Sequence, residues 1–443
     1  MGQTLDDALK IRDLRTVRAL LDDMNVADIA EELEKMDEKQ AVRLFRVLHK
    51  DVAAGVFAYL SRDMQMHIVE AITGPEIGGI IDDLFLDDAV DFIEEMPANV
   101  VERVLENVPE NKRNIINHFL QYPDDSAGSV MTIEYVSLKA DMTVTEAFAH
   151  IREVGIDKET VYTCYVTGHD RVLIGAVSVR ALLLADTKAL VGDIMEPNVI
   201  SIVTVEDKET LVGYFNKYDF MAIPVVDHEN RLVGIVTIDD ALDVQKEEAS
   251  EDFAIMAAMS PSEEPYMKTS VWKLTQNRIL WLLLLMLSAT MTGAIITSFE
   301  KSLAAVPALI AFIPLLMGTG GNAGSQTATL IIRGMAVEEV ALSDVWRAWW
   351  KELRVAVLCG AALAIVNYLR IQLLGGDFLL AITVSLALYT TVILSKSIGC
   401  LLPIGAKKIR LDPAIMASPL ITTIVDASSL TMYFVIAKAV LKI

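Results

Sequence analysis

The chain has 443 residues, with 60 acidic against 38 basic side chains, a formal net charge of -22 and a mean hydropathy of +0.42. Acidity and apolarity part company near residue 262: the first segment carries about -27 charges and the second is close to neutral. So negative a surface repels phosphates, which excludes nucleic acid as a partner, and it collects cations. Cys164, Cys359 and Cys400 are scattered and all six histidines precede residue 230, so neither a disulfide framework nor a zinc site is expected.

Residues 1–130 read as an acidic, all-α domain. The start is charged and has no apolar signal region, which is expected to keep it in the cytoplasm. Asp28-Ile29-Ala30-Glu31-Glu32-Leu33 and Asp91-Phe92-Ile93-Glu94-Glu95-Met96 echo each other and suggest short stacked helices in a small solenoid.

Residues 131–187 and 188–245 read as a duplicated α/β module. Val161–Val166 and Met221–Val226 have the pattern of buried strands. Each is followed by a polar turn, a second apolar strand (Leu173–Ser178 and Leu232–Thr237) and a helix. Gly175 and Gly234 occupy matching places.

Residues 246–275 are expected to form a connecting helix, continuing the acidic run Asp239-Asp240-Ala241-Leu242-Asp243 through Glu247, Glu251 and Asp252. Like charges on packed faces repel, and divalent cations between them remove the penalty. The expectation is a lever between sensor and membrane, closed when Mg²⁺ is plentiful. The chain shows no nucleophile–base pair, phosphate loop or Walker motif, so neither an enzyme nor an ATP-driven pump is expected.

Residues 276–443 hold five apolar segments. The first, Ile279–Phe299, has 21 residues without a charge, long enough to cross a bilayer at about 1.5 Å per residue. The others are expected at about 303–332, 353–374, 378–402 and 413–441. Lys268, Lys273 and Arg278, then Arg333, Arg347, Lys351 and Arg354, then Lys407, Lys408 and Arg410 fall in alternate loops. That bias puts the amino terminus inside and the carboxyl terminus outside.

Two features within the spans are too polar for lipid-facing filler. Gly318-Thr319-Gly320-Gly321-Asn322-Ala323-Gly324-Ser325-Gln326 should interrupt or closely pack the second span. Its carbonyls and Asn322 are oxygen ligands of the kind a hard cation or its hydration shell prefers. In the last span Ser418, Thr422 and Asp426 recur every four residues, an oxygen ladder ending in a charge. Lys396 of the fourth span is its alternative, structural partner. One carboxylate per chain is thin for a divalent ion, so a dimer is expected, and Mg²⁺, reluctant to dehydrate, should keep several waters.

The Gly320–Gln326 stretch, the pattern of Asp412, Pro413, Ala414, Pro419, Thr423 and Asp426, the tandem repeat and the acidic helix together resemble the MgtE family of magnesium channels and transporters. The resemblance covers almost the whole chain. It implies a homodimer in the inner (plasma) membrane, with an amino-terminal superhelical domain, tandem CBS domains, a plug helix and five membrane helices per subunit. It further implies passive Mg²⁺ entry past Asp426 and Asn322, with gating ligands drawn from Asp88, Asp91, Asp243, Glu247, Glu251 and Asp252. Gly320 and Gly321 belong to the same pore motif. CBS domains that bind adenine nucleotides often carry an Asp three residues after the Ser/Thr ending the last strand. The second repeat keeps that pair as Thr237 and Asp240, which allows ATP there, whereas the first has Ser178 and Ala181. A proton- or sodium-coupled divalent cation transporter and a membrane-anchored CBS sensor acting on a partner are the alternative readings.

Overall fold

The computed structural model describes residues 14–262, 266–337, 339–416 and 418–442. The chain falls into two compact units, one up to Gln245 and one from Lys246.

The first unit opens with short helices that cannot bury their apolar faces alone. Among the described residues these are α1 (Leu14–Asp22), α2 (Val26–Glu34), α3 (Glu38–Phe45), α4 (Lys50–Ala58), α5 (Arg62–Ala71), α6 (Gly74–Asp83), α7 (Leu86–Glu95), α8 (Ala98–Asn107) and α9 (Glu110–Phe119). Every second helix is a neighbour, α2 on α4, α4 on α6 and α6 on α8, so stacking builds a continuous core. Phe57 of α4 and Phe92 of α7 meet edge to face within it at 5.0 Å. A repeated device closes the helix ends. Arg46 donates to the Ala71 carbonyl (2.9 Å), Arg62 to that of Glu95, Arg103 to that of Ile72 and Lys112 to that of Leu84 (2.5 Å). Each cation meets carbonyls left over at a helix C-terminus, where the helix dipole favours positive charge. The stacking expected from the D-x-x-E-E echo is present, but the echo is no marker of it: Asp28 lies in the first turn of α2, whereas Asp91 lies past the middle of α7.

The duplicated module follows as two three-stranded sheets. The first orders β1 (Ser137–Leu138), β2 (Thr163–Thr167) and β3 (Leu173–Ser178); the second orders β4 (Ile202–Val203), β5 (Ala222–Val226) and β6 (Leu232–Thr237). In each the outer pair is parallel and the hairpin antiparallel, with a register shift at Val166/Thr167 and at Val225/Val226. Helices α10 (Val144–Val154), α11 (Val179–Leu184), α12 (Val191–Ile194) and α13 (Lys208–Tyr218) cover them.

The matching glycines have a shared task. A Cβ on Gly175 would lie 2.5 Å from the Met195 sulfur, and one on Gly234 would lie 2.7 Å from the Thr132 carbonyl. Those approaching segments bridge the sheets crosswise, Glu196 to Ala176 of the first and Thr132 to Ile235 of the second. The stretch before each repeat therefore closes the other repeat's sheet. For the same reason α12 packs in the first core, through Val191, beyond the boundary expected at residue 188.

The acidic helix α14 runs unbroken from Ile238 to Met256. It begins inside the second repeat and stops well short of residue 275, where the expected connecting helix was to end.

Among the described residues, the second unit contains five helices long and apolar enough to cross a membrane, Val271–Ser298, Pro307–Ala336, Leu342–Leu373, Phe378–Lys408 and Pro413–Leu441. Their α-helical parts are α15 (Val271–Ser298), α17 (Ile313–Ala336), α18 (Val345–Leu373), α19 (Phe378–Lys408) and α20 (Ser418–Leu441); α16 (Glu300–Ala305) joins the first two. The third span starts earlier than hydropathy suggested, because Arg347, Lys351, Glu352 and Arg354 belong to its first turns and not to a loop. The fourth runs through Pro403, which is buried within it.

The glycine-rich run does not break its helix: α17 is continuous from residue 313 to 336. Close packing is what the glycines supply. A Cβ on Gly399 of α19 would sit 2.3 Å from the Gly324 carbonyl, so these two backbones touch where any side chain would separate them. Beside that contact lies a buried polar knot. Lys396 of α19 approaches Glu352 of α18 at 3.6 Å and donates to Thr327 of α17 at 3.1 Å, while Thr327 donates to Glu352 at 2.9 Å. The Lys396 and Glu352 side chains are 8% and 14% exposed, and Thr327 is fully buried. Removing one partner of such a pair strands the other charge. Lys396→Met should therefore destabilise the solubilised protein by about 3–5 kcal/mol, and Lys396→Met with Glu352→Gln should recover most of the loss in denaturant titrations.

Candidate functional site

Two groups of oxygen-bearing side chains stand out. In the membrane unit, Gly318, Asn322, Gln326 and Thr329 are exposed on α17 at near-helical spacing, so one polar stripe runs along an otherwise apolar span. Its other side is buried through Gly320, Gly321, Ala323, Gly324, Thr327 and Ala328. The last span lies against that buried side. A Cβ on Gly321 would meet the Thr422 methyl at 3.0 Å, and one on Gly320 would meet Val425 at 2.9 Å.

This corrects part of the expectation. Gly320 and Gly321 are packing positions within a regular helix, and their carbonyls are not freed by a break. Thr422 and Asp426 remain half-exposed on α20, next to the stripe's helix, while Ile421 and Val425 are buried. The Thr422 hydroxyl donates to the Pro419 carbonyl (2.8 Å) and keeps its lone pairs for a further donor such as a coordinated water. The Ser418 side chain lies outside the described residues.

Lys396 is not the partner of Asp426, because Glu352 holds it. Among the described residues no ion pair or hydrogen bond reaches the Asp426 carboxylate. The cation of α20, Lys438, sits in its last turn over the Phe299 ring, so the half-exposed carboxylate is left to water, an ion or a second chain. Glu352 and Thr327 escaped the sequence reading. The visible signal was a charge flanked by aromatic residues, Trp349-Trp350-Lys351-Glu352, at the edge of an apolar segment.

The second group is in the first unit. Leu86-Asp87-Asp88 opens α7 and Ile238-Asp239-Asp240 opens α14, and the two acidic helix starts are brought together with Glu134 and Glu159. Burial, then Asp239 and Glu134, push the Asp88 carboxyl up to about 6. Burial raises Asp240 to about 6 as well, with Asp239 and Asp88 adding to the effect and hydrogen bonds from Thr237 opposing it. Glu159 rises to about 8, chiefly through burial and then through Asp240, Asp239 and Asp88. Asp87 is raised by burial and by Asp240. Lys112 is the neighbouring cation, and burial lowers its own value. Among the described residues no three His, Cys, Asp or Glu groups are close enough to hold a metal ion directly.

The cluster thus joins Asp88, expected as a metal ligand, to Asp240, expected as a nucleotide contact. Thr237 donates to Asp240 through its hydroxyl (2.5 Å) and its amide (3.3 Å). Asp91 lies on the exposed side of α7. Asp243, Glu247 and Glu251 form an exposed stripe of α14, each four residues apart, and Asp252 is half-exposed on the same helix. Asp87, Glu134, Glu159 and Asp239 were missed. The matching aliphatic-Asp-Asp starts of α7 and α14 would have pointed to two of them.

Comparison with known proteins agrees with this organisation. The divalent cation transporter model of MgtE matches residues 313–436, the MgtE intracellular N domain residues 24–125, and the CBS domain residues 127–188 and 191–247. Magnesium transporter MgtE of Thermus thermophilus is 33% identical over 446 residues, covering 100% of this chain and 99% of its own. Magnesium transporter MgtE of Bacillus subtilis is 32% identical over 430 residues, covering 97% and 94%. Among solved structures, the cytosolic domain of the Mg²⁺ channel MgtE in complex with ATP matches with a TM-score of 0.53 and 33% identity, over 55% of this chain and 100% of that one. The soluble part of a magnesium transporter matches with a TM-score of 0.54 and 28% identity, over 56% and 98%. With domain models spread from residue 24 to 436 and a relative matched along its entire length, the chain belongs to the MgtE family of divalent cation transporters.

Proposed function

We propose that this chain conducts Mg²⁺ passively as a homodimer, that the path is lined by Asn322, Thr422, Ser418 and Asp426, and that cytosolic Mg²⁺ closes it. The observation that carries the path is the polar stripe of α17 beside the unpaired Asp426, exposed on a protomer whose buried charges Lys396 and Glu352 are mutually satisfied. A route through one protomer's interior would run past the Lys396 ammonium, which repels cations. A route along the stripe meets amide, hydroxyl and carboxylate oxygens, and a second copy adds a second carboxylate. Gly320 and Gly321 set how closely the two lining helices approach. The bias of lysines and arginines towards alternate span ends supports an acidic unit on the cytosolic side of the inner membrane and a carboxyl terminus outside.

Closure is supported by the end of α14. Met256 packs against Ala328 and Ile332 of α17 and against Ile421 and Val425 of α20, the last being the neighbour of Asp426 in the chain. Neutralising the acidic stripe Asp243, Glu247 and Glu251, with Asp252 beside it, would favour the packed position of that helix. The Asp88–Asp240 cluster and Asp91 are the corresponding cation-attracting faces of the first unit, where hydrated Mg²⁺ would take the place of protons. At Asp240 an adenine nucleotide is proposed to place a ribose hydroxyl, because the surrounding carboxylates repel its phosphates.

The deciding experiment is Mg²⁺ influx into sealed liposomes containing the purified protein. Influx should follow the Mg²⁺ gradient alone, fall at least tenfold in Asp426→Asn, and shut off at high Mg²⁺ on the side of the acidic unit. A requirement for a proton or sodium gradient would establish the coupled transporter instead, and folded protein without flux the membrane-anchored sensor.

The cluster also makes a pH-dependent claim. Between an ordinary 3.8 and about 6, folded Asp88 and Asp240 hold protons that the unfolded chain releases, so their contribution to stability falls as pH rises through that window. Glu159 carries the loss from 4.5 to about 8. Thermal unfolding of the first unit without divalent ions should show a lower Tm at pH 8 than at pH 5.5. Millimolar Mg²⁺ should restore it at pH 8, and Asp88→Asn with Asp240→Asn should flatten both responses.

A further inference from the structure

The membrane unit carries a second polar feature that ion conduction does not use. Two apolar grooves, of about 350 and 280 Å³, flank Arg370 near the end of the third span. The larger lies between α18 and α19, lined by Ile365, Tyr368, Leu386 and Tyr389 with Ser385. Its α18 lining, Ala364 to Leu369, runs roughly 7 Å along the helix towards the middle of the span. The smaller, lined by Ala311, Phe312, Leu374 and Leu380, includes Arg370 itself.

A chain of polar contacts runs between them. Asn367, 5% exposed, donates to the Ser385 hydroxyl (3.3 Å) and accepts from the Arg370 guanidinium (3.0 Å). The buried amide thus aims the guanidinium. Arg370 is exposed and, among the described residues, makes no ion pair with an acid. Asp377, the nearby carboxylate, instead caps α19 through the Leu380 amide (2.9 Å).

We propose that this is a binding site for an anionic glycerophospholipid, with the phosphate on Arg370 and an acyl chain in each groove. Charge and setting select this occupant. The linings are apolar on helices long enough to cross the membrane, and Arg370, which lines the smaller groove and follows Leu369 of the larger, is a cation with spare donors.

The test uses the full-length protein in detergent, followed by native mass spectrometry and thermal unfolding. The probes are phosphatidylglycerol and phosphatidylcholine with identical acyl chains. The intact protein should retain phosphatidylglycerol at least fivefold more strongly and gain Tm from it. Arg370→Gln should abolish that preference, and Ala364→Trp, which fills the larger groove, should weaken retention of both lipids while Arg370 is intact. Equal retention by the intact protein, or a preference that survives Arg370→Gln, would overturn the site. So would competition by soluble glycerol phosphate, which assigns a free-phosphate site, or loss of the dimer in Ala364→Trp with lipid retention unchanged, which assigns the grooves to a second copy.

Discussion

Water is scarce in the middle of a bilayer, so a polar group there must find its partner within the protein, and the membrane unit is arranged around that constraint. Lys396, Glu352 and Thr327 satisfy one another across three helices. Asn367 is satisfied by Ser385 and Arg370 across two. The knots join the same helices that the glycine contacts draw together. An ion pair seated beside a contact with no side chains allows little freedom of register, because sliding either helix by a turn would bury a lone charge. With these charges and amides paired, the polar atoms left exposed on α17 and α20 acquire meaning. They are open to partners from outside the chain, whereas the hydroxyls of Thr391, Ser395 and Ser429 lie buried without a hydrogen-bond partner.

The soluble unit applies the opposite policy. Carboxylates are gathered at two helix starts until burial and mutual repulsion raise Asp88 and Asp240 to about 6 and Glu159 to about 8, a strain that costs the fold stability as pH rises towards neutral. Helix dipoles at the starts of α7 and α14 offset part of the repulsion, and Lys112 offsets another part. Under the proposed gating, the remainder is the repulsion that divalent cations would relieve. A fully neutralised interface would be stable and indifferent to cations.

Much of this was legible in the chain. Strand pairs, the duplication, five spans and the unusual Asp426 all follow from local periodicity and from the cost of a charge in an apolar run. What was not legible depends on which faces meet. Asp426 was the acidic partner the sequence offered Lys396, and only helix packing selects Glu352, which hydropathy left outside the third span. The glycines permitted a broken helix or a close contact; Gly399, from a distant segment, decides for contact. Charges at the start of the third span read as loop because hydropathy registers them and misses the helix that carries them. The exchange between the repeats was hidden because Thr132 and Glu196 resemble ordinary linker residues.

That exchange bears on how the protein is made. The bridge from Thr132 to Ile235 joins positions about 100 residues apart, so the second sheet stays open until most of both repeats has left the ribosome. The first sheet is complete earlier, when Glu196 emerges. Since α14 grows directly from β6, the acidic helix acquires a firm base only after the second sheet has closed. The first span follows within some twenty residues, while the preceding segment is still inside the exit tunnel. The acidic helix that joins the two units in the chain is therefore made after the strands of both sheets and just before the first span.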